Sequence, residues 1–568
     1  MRRTWIAGGV VVIALLLWTA ATLPPRTASL PASVPGPGDP VIVRGAYHAH
    51  TRASDGTGTM ADVAAAAGRA GLDFVIVTDH GDAFRAPAAP SYYGRVLCLD
   101  ATEISTTDGH YTAIGMARPP YPLAGEGRDV IEDVTRLGGF GVAAHPDSAR
   151  ETLRWREWDA PFDAIEWLNA DSEFRRGSLW RVLPTLAHYL FRRAESLAAG
   201  LRRPDAVLER WDRLTRERPV VALGANDAHA RFGLRPRDDG RSDRLYLALP
   251  SYESTFRLFS LGVELDAPPS GDAARDAAAL MASIRRGRVY TAITALAAPA
   301  RLSFGAWSGA GTARQGGAIA ASPGVMLRAS ANLPPGGSLV LLRDGTAIER
   351  TKAPTLRYVT DRPGVFRIEV QLAGAPGEPP IPWILGNPIY VGMPAHAAAA
   401  TPPSAGTPYD ASAEWHVEHD AASIAATEAG RDGRTLTFRL APAPAASPFA
   451  ALVTGTVDAL RTAGQIAFEA RASRPMRVSV QVRLDSRGAD RRWVRSVYVD
   501  ETPRLVSVSL ADMRVAGTGE RTPVDPSGIQ SLLFVVDTVN ARPGDAGTIT
   551  IRDLRVQARD QVRTVSSR

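Results

Sequence analysis

Seven apolar runs recur along the first half of the chain, at Val41 to Tyr47, Asp73 to Thr78, Arg95 to Thr102, His110 to Gly115, Phe140 to Ala144, Phe162 to Leu168 and Val220 to Gly224. Polar residues of ligand type stand at or near their ends, and helical or loop segments separate them. That is the pattern of a βα-repeat domain. Between the first two runs, Thr59-Met60-Ala61-Asp62 opens an Ala-rich stretch that closes on Gly71, which predicts a capped helix. Asp129 to Leu137 has the same form. Helical patterns rich in Arg, Leu and Trp fill Glu173 to Arg216 and break near Pro204, predicting an inserted segment over one rim of the barrel.

After a last helix at Asp272 to Arg288 the periodicity changes. Short alternating runs such as Ser338 to Leu342 and Gly364 to Leu372 predict strands. Residues 301–392 therefore form a β-sandwich-sized module of Ig-like type, and the Ala- and Pro-rich 393–408 is a linker. Strand-like runs return from Thr435 to Leu440 through Thr548 to Val556, so 409–560 is expected to be a second β-sandwich. Its pattern resembles the galactose-binding-like jelly rolls appended to exported carbohydrate-active proteins.

Ahead of the first run, Trp5 to Leu23 is apolar behind Arg2 and Arg3, which fits a signal peptide or a signal anchor over 1–23. Residues 24–40 read as an extended tether. The remainder is then expected to be exported, periplasmic or extracellular, and held at a membrane if the segment is not cleaved. A chain of 568 residues holds several domains. With 45% hydrophobic and 22% charged residues its composition is globular. The net charge of +6 comes almost wholly from arginine, without dense basic runs interleaved with aromatics, so nucleic acid is not an expected partner. The single cysteine, Cys98, lies in an apolar run and excludes a disulfide framework.

Gly45-Ala46-Tyr47-His48-Ala49-His50 changes the picture. Histidines at i and i+2 on an extended chain project to one side and can grip one cation. The second run feeds into Thr78-Asp79-His80, the third delivers Glu103, and His110 heads the fourth. His145 ends the fifth, and Asp227-Ala228-His229 ends the seventh. In parallel α/β barrels chemistry gathers at the carboxyl ends of the strands. Six of the 10 histidines fall at such positions, whereas His188, His396, His416 and His419 lie in a helical run, the linker or the last domain and need no special role.

This constellation resembles the PHP family of polymerase and histidinol phosphatase metal-dependent hydrolases. The family's motifs match His48-Ala-His50 with Asp55, Thr78-Asp79-His80, Glu103 with His110, His145, and Asp227-Ala-His229, over roughly Val41 to Arg301. The resemblance implies a distorted seven-stranded β/α barrel over 41–300. It implies His48, His50, Asp55, His80, Glu103, His110, His145, Asp227 and His229 as metal ligands.

So many donors exceed one ion. Two divalent metals are expected and three are implied by the resemblance, with zinc, manganese or iron suited to mixed nitrogen and oxygen ligands. Such a cluster activates water for hydrolysis. Asp227 is the candidate proton acceptor, Arg52, Arg150 and Arg231 are candidate anion-binding residues, and Asp79 is a candidate support for a ligating ring. The leading expectation is an exported phosphoesterase acting on a small anionic ester. The alternatives are a carboxylic or carbamate ester hydrolase, and a surface glycan-binding protein with an inactive barrel. A glycan or cell-surface polymer is the expected partner of the C-terminal domain, and a membrane that of an uncleaved N-terminal segment. Every candidate ligand precedes Arg301, so hydrolysis of a small ester should not need the last module.

Overall fold

Strand-forming segments rich in Val, Ile and Ala are buried on both faces through the first half of the chain, which only a sheet covered on each side allows. The computed structural model describes residues 5, 13, 16–31, 40–176, 179–231, 249–393, 407–408, 414–430, 433–442, 447–455, 458–486 and 489–558. The chain is a mixed α/β protein with a large β-sandwich content.

The α/β unit begins with β1 (Val41–Tyr47), α1 (Met60–Arg69), β2 (Phe74–His80), β3 (Val96–Thr106) and β4 (Gly109–Ile114). It continues through α2 (Gly127–Arg136), β5 (Phe140–Ala143), β6 (Ala164–Asn169), α3 (Ala170–Arg175), α4 (Leu179–Tyr189), α5 (Arg193–Ala198), α6 (Asp205–Glu217) and β7 (Val221–Ala225). It closes with α7 (Tyr252–Leu258), β8 (Ser260–Leu265), α8 (Ala273–Arg285) and β9 (Val289–Ala292). The Thr59 hydroxyl caps α1 by accepting from the Asp62 amide, and the Asp62 carboxylate accepts from the Thr59 amide, the two halves of a capping box.

All seven runs are strands, paired in the order β1 to β7. The two ends of this path meet. The amide of Asn226 donates to Tyr47 O at 2.8 Å, that of His50 to Ala228 O at 2.9 Å, and that of Ala228 to His48 O at 3.2 Å. One departure from a parallel βα repeat lies in the middle, where β4 runs antiparallel to both β3 and β5. The hairpin between β3 and β4 is too short to carry a crossover helix, so the direction must reverse there.

β8 pairs antiparallel with β1, β9 pairs with β8, and Ile384–Gly386 pairs with β9. Hydrogen bonding thus runs on past residue 300 into the β module. There the strands Gly311–Arg314, Leu302–Ser308, Val325–Ala331 and Thr355–Thr360 form a second sheet, in that order. Buried side chains of both parts, among them Trp211, Phe304, Leu327, Ile368 and Trp383, belong to one core. Arg367 bridges the parts as well, facing Asp212 of α6 at 2.8 Å and Glu369 at 2.6 Å.

The C-terminal module has two antiparallel sheets packed on a core that includes Phe438, Phe468, Val480, Phe534 and Ile551. The apolar segment 1–23 lies largely outside the described residues, as does most of the linker 393–408; residues 16–22 are helical. Among the described residues no helix is long and apolar enough to cross a membrane. The tether 24–40 is in part docked, because Ala28–Ser29 pairs with Ala297–Ala298.

Candidate metal centre

The strand ends are held in backbone conformations that side chains other than glycine rarely adopt. His48 (φ 67°), His145 (φ 28°) and Asp227 (φ 46°) all have positive φ. Left-handed residues of this kind cluster at functional sites, where surrounding structure over-determines them. The His48-Ala49-His50 stretch is therefore not the extended strand that i, i+2 projection assumes. Its histidines converge because His48 turns the chain left-handed and the bridge from Ala49 to Ala228 then fixes the register.

Glu103 sits at the centre and is 1% exposed. Its Oε2 lies 3.1 Å from His48 Nε2, 3.2 Å from His50 Nε2 and 3.3 Å from His80 Nδ1. Its Oε1 lies 2.7 Å from His110 Nδ1 and 2.8 Å from His145 Nε2. Antiparallel β4 explains how a histidine at the start of a strand reaches the mouth, since Ser105 pairs with His110 beside the end of β3. Asp227 Oδ1 stands 3.4 Å from His48 Nε2 and 3.3 Å from His50 Nε2. On the rim, Asp55 Oδ1 lies 3.2 Å from His229 Nε2 and 3.7 Å from both His50 Nδ1 and His80 Nε2. The structure thus brings together all nine residues expected as ligands.

Three overlapping groups have donor atoms all within 4.8 Å of one another: His48, His50 and Glu103; His80, Glu103 and His110; and His50, Asp55, His80 and His229. The donor chemistry fits cations. His48 Nε2 and His50 Nε2 face each other at 3.1 Å, a spacing that repels unless a proton or cation lies between the lone pairs. Donors bound tetrahedrally at transition-metal distances stand roughly 3.3 Å apart, and the donors here stand from 2.7 Å to 3.7 Å apart.

Electrostatics agree with that reading. Burial opposes charge on His48, yet Asp227, Glu166 and Glu103 outweigh it and hold its pKa well above the ordinary imidazole value. His145 and His229 are similarly opposed by burial and pushed up to about 9, chiefly by Glu103 and by Asp55 respectively. Burial acts against ionisation of Glu103 and Asp227 too, but the surrounding histidines keep both well below the usual carboxylate range.

Glu166 is the residue that sequence reasoning missed. Its Oε1 lies 2.6 Å from His48 Nδ1, its Oε2 accepts from the His145 amide at 2.6 Å, and Asn169 Nδ2 donates to Oε2 at 2.8 Å. One carboxylate therefore orients a ligand ring and anchors a second ligand's backbone. The signal was present, a carboxylate inside the apolar Ala164-Ile165-Glu166-Trp167-Leu168 run, the one run to which no ligand is assigned.

Asp79 has another part. It accepts from the Thr51 amide at 2.7 Å, the Thr51 hydroxyl at 2.6 Å and the Ser54 hydroxyl at 2.6 Å, so it secures the loop leading to Asp55 instead of supporting a histidine. Of the three candidate arginines, Arg231 reaches the mouth, donating to Asp55 O at 3.1 Å. Arg52 and Arg150 are exposed. Arg175 of α3 is exposed and paired with Asp171.

No family model and no curated protein matches the chain. Among solved structures, a two-domain protein containing a predicted PHP-like metal-dependent phosphoesterase from Bacteroides vulgatus is similar over 61% of this chain and 95% of its own, at 13% identity and a TM-score of 0.28. A family 11 carbohydrate-binding module of a Clostridium thermocellum cellulase is similar over 25% of this chain and 87% of its own, at 14% identity and a TM-score of 0.21.

Proposed function

We propose that the chain is a metal-dependent hydrolase of PHP type, most simply a phosphoesterase, organised as a distorted seven-stranded β/α barrel over 41–300 with β modules at 301–392 and 409–560. One observation carries the reading: six imidazoles and the carboxylates of Asp55, Glu103 and Asp227 converge with the spacings of a polynuclear site. The chemistry that two or three divalent ions supply there, when bound, is activation of water and neutralisation of charge on a phosphoryl oxygen.

The chain's own residues do the rest. Glu103 presents one carboxylate oxygen to His48, His50 and His80 and the other to His110 and His145, so it would be a central ligand of bound ions. Glu166 holds His48 in one ring orientation. Asp227, ionised and buried beside His48 and His50, can accept a proton from the attacking water at Oδ1. Arg231 supplies the cationic rim that would draw an anionic ester and grip its phosphoryl oxygens. A neutral ester would gain less from that rim, which favours phosphoesters over the carboxylic or carbamate alternative.

The test compares kcat/KM for p-nitrophenyl phosphate, bis-p-nitrophenyl phosphate and p-nitrophenyl acetate, with Asp227→Asn as the control for adventitious metal. Turnover of a phosphate above that control supports the reading. Turnover of the acetate alone would give the ester-hydrolase alternative. A glycan partner is proposed for the C-terminal module, although its exposed large apolar residues among those described are Ile424, Leu505 and Val539, none an aromatic ring on which a sugar could stack. Retention on insoluble glucan tests that part.

A further inference from the structure

A cavity of about 850 Å³ lies on the far side of the α/β unit from the metal centre. It is bounded by the N-terminal segment at Leu23, Arg26 and Thr27, by the turn between α4 and α5, and by Ala70, Gly71 and Leu72. Those last residues precede β2, whereas His80 ends it, so the cavity and the mouth lie at opposite ends of that strand.

Its charge is one-sided. Five arginines, Arg26, Arg44, Arg192, Arg193 and Arg257, line it against Glu195 and Glu253. Both carboxylates are engaged. Glu253 faces Arg69 at 2.8 Å and Arg257 at 3.1 Å, and Glu195 accepts from the Thr27 hydroxyl at 3.1 Å. Among the described residues, Arg26, Arg44, Arg192 and Arg193 have no carboxylate partner, although Arg192 donates to Pro24 O.

The lip is apolar and stands in solvent. Leu190 is 77% and Phe191 60% exposed at the tip of the turn, immediately before the two arginines. The N-terminal segment is fastened beside it, with Trp18 stacked on His188 and the Thr22 hydroxyl 2.9 Å from His188 Nε2. Leu16, Leu17 and Trp18 of that segment are exposed as well. Apolar side chains over a cluster of unpaired arginines match the acyl and head-group layers of a bilayer leaflet.

We propose that this cavity binds the phosphate of an anionic phospholipid, with Leu190 and Phe191 entering the acyl region beside the N-terminal segment. The proposal is independent of the hydrolase reading and rests on the apolar segment 5–23 approaching a membrane. Arginine forks grip phosphate oxygens in pairs, and an unpaired guanidinium in a partly covered groove gains more from that than one already neutralised. With lipid seated there, the mouth around Glu103 faces away from the bilayer and stays open to soluble substrate.

The full chain in non-ionic detergent is titrated with dioctanoylphosphatidylglycerol, dioctanoylphosphatidylcholine and inorganic phosphate, and bound ligand is counted by native mass spectrometry. The expected result is phosphatidylglycerol binding at least ten-fold tighter than phosphatidylcholine. It should weaken ten-fold or more in the Arg26→Glu/Arg193→Glu double variant and be unchanged in Arg328→Glu, a distant exposed control. An unchanged melting temperature in the double variant keeps misfolding out of the comparison. Equal binding of the two lipids, a double variant that binds like the parent, or inorganic phosphate binding as tightly as the lipid would each overturn the proposal. Because detergent-held lipid does not depend on a spanning segment, and hydrolysis is read separately on p-nitrophenyl phosphate, failure of the anchor or of the hydrolase reading would be seen as such.

Discussion

Glu166 reaches His48 Nδ1 at 2.6 Å while its other oxygen holds the His145 backbone, so two ligands from different strands depend on one buried carboxylate. Replacing an orienting partner of this kind typically lowers metal affinity about 10- to 100-fold. Glu166→Gln should therefore reduce bound metal per chain, measured by elemental analysis at limiting free metal, and excess metal should restore much of the activity. His48→Ala should lose metal and activity together without such rescue. Equal rescue of both would show that Glu166 does not act through His48. The six converging histidines were legible because histidine is rare in the chain and stands at or near the ends of apolar runs, and the resemblance to the PHP family implied the full set with Asp55, Glu103 and Asp227. Glu166 was not, since a charged residue inside a strand gives no sign of which side chain it will meet. Nor could spacing tell Arg231 from Arg52 and Arg150, because loop conformation decides which guanidinium turns to the mouth.

At the scale of elements, β5 delivers His145 and passes directly under Tyr111 of β4. A methyl group on Gly141 would come within 1.7 Å of the Tyr111 hydroxyl. Tyr111 is fully buried and stacked on Trp155, with ring centroids 5.5 Å apart, so it has little room to move. Overpacking of this sort costs about 1–3 kcal/mol. Gly141→Ala should lower stability by that order in urea denaturation, with reduced metal retention as β5 shifts. A variant as stable as the parent would mean that Tyr111 can swing aside. All seven strands were legible from their apolar runs, but the reversed direction of β4 was not, since periodicity records burial and not polarity of the chain. The continuation of the sheet past residue 300 was equally hidden. Alternating strands of 301–392 read as a separate sandwich, whereas the pairing of β9 with Ile384–Gly386 and the shared core join them to the α/β unit.

Across the whole molecule, the C-terminal module is seated on α2 and on Glu157 through ion pairs, with the guanidinium groups of Arg477 and Arg495 buried and that of Arg521 partly exposed. Arg477, 3% exposed, faces Asp133 at 2.8 Å and Glu132 at 3.1 Å, Arg495 pairs with Asp129, and Arg521 faces Glu157 at 3.0 Å. Breaking one partner of a buried pair costs about 3–5 kcal/mol because the other charge is left uncompensated. Arg477→Ala should lower the melting temperature and speed amide exchange in α2, while bound metal stays near that of the parent. Deleting 409–568 should spare every ligand yet loosen the helix that backs β4 and β5, so the last module is dispensable for chemistry and not for stability. Glu126, which precedes α2 at the same seam, adds a pH signature. Burial raises its pKa from 4.5 to about 7 against the pull of Arg495 and Arg514, with Asp108 and Glu157 reinforcing the rise. A carboxyl that holds its proton more tightly folded than unfolded adds stability below pH 4.5, and that contribution is lost as pH rises through 7. The span corresponds to roughly 3 kcal/mol. Glu126→Gln, which mimics the protonated form, should match the parent near pH 4.5 and melt at a higher temperature than the parent at pH 8. If the difference between the two proteins were the same at both pH values, Glu126 would be ionised in the folded seam and the arginines, not burial, would govern it.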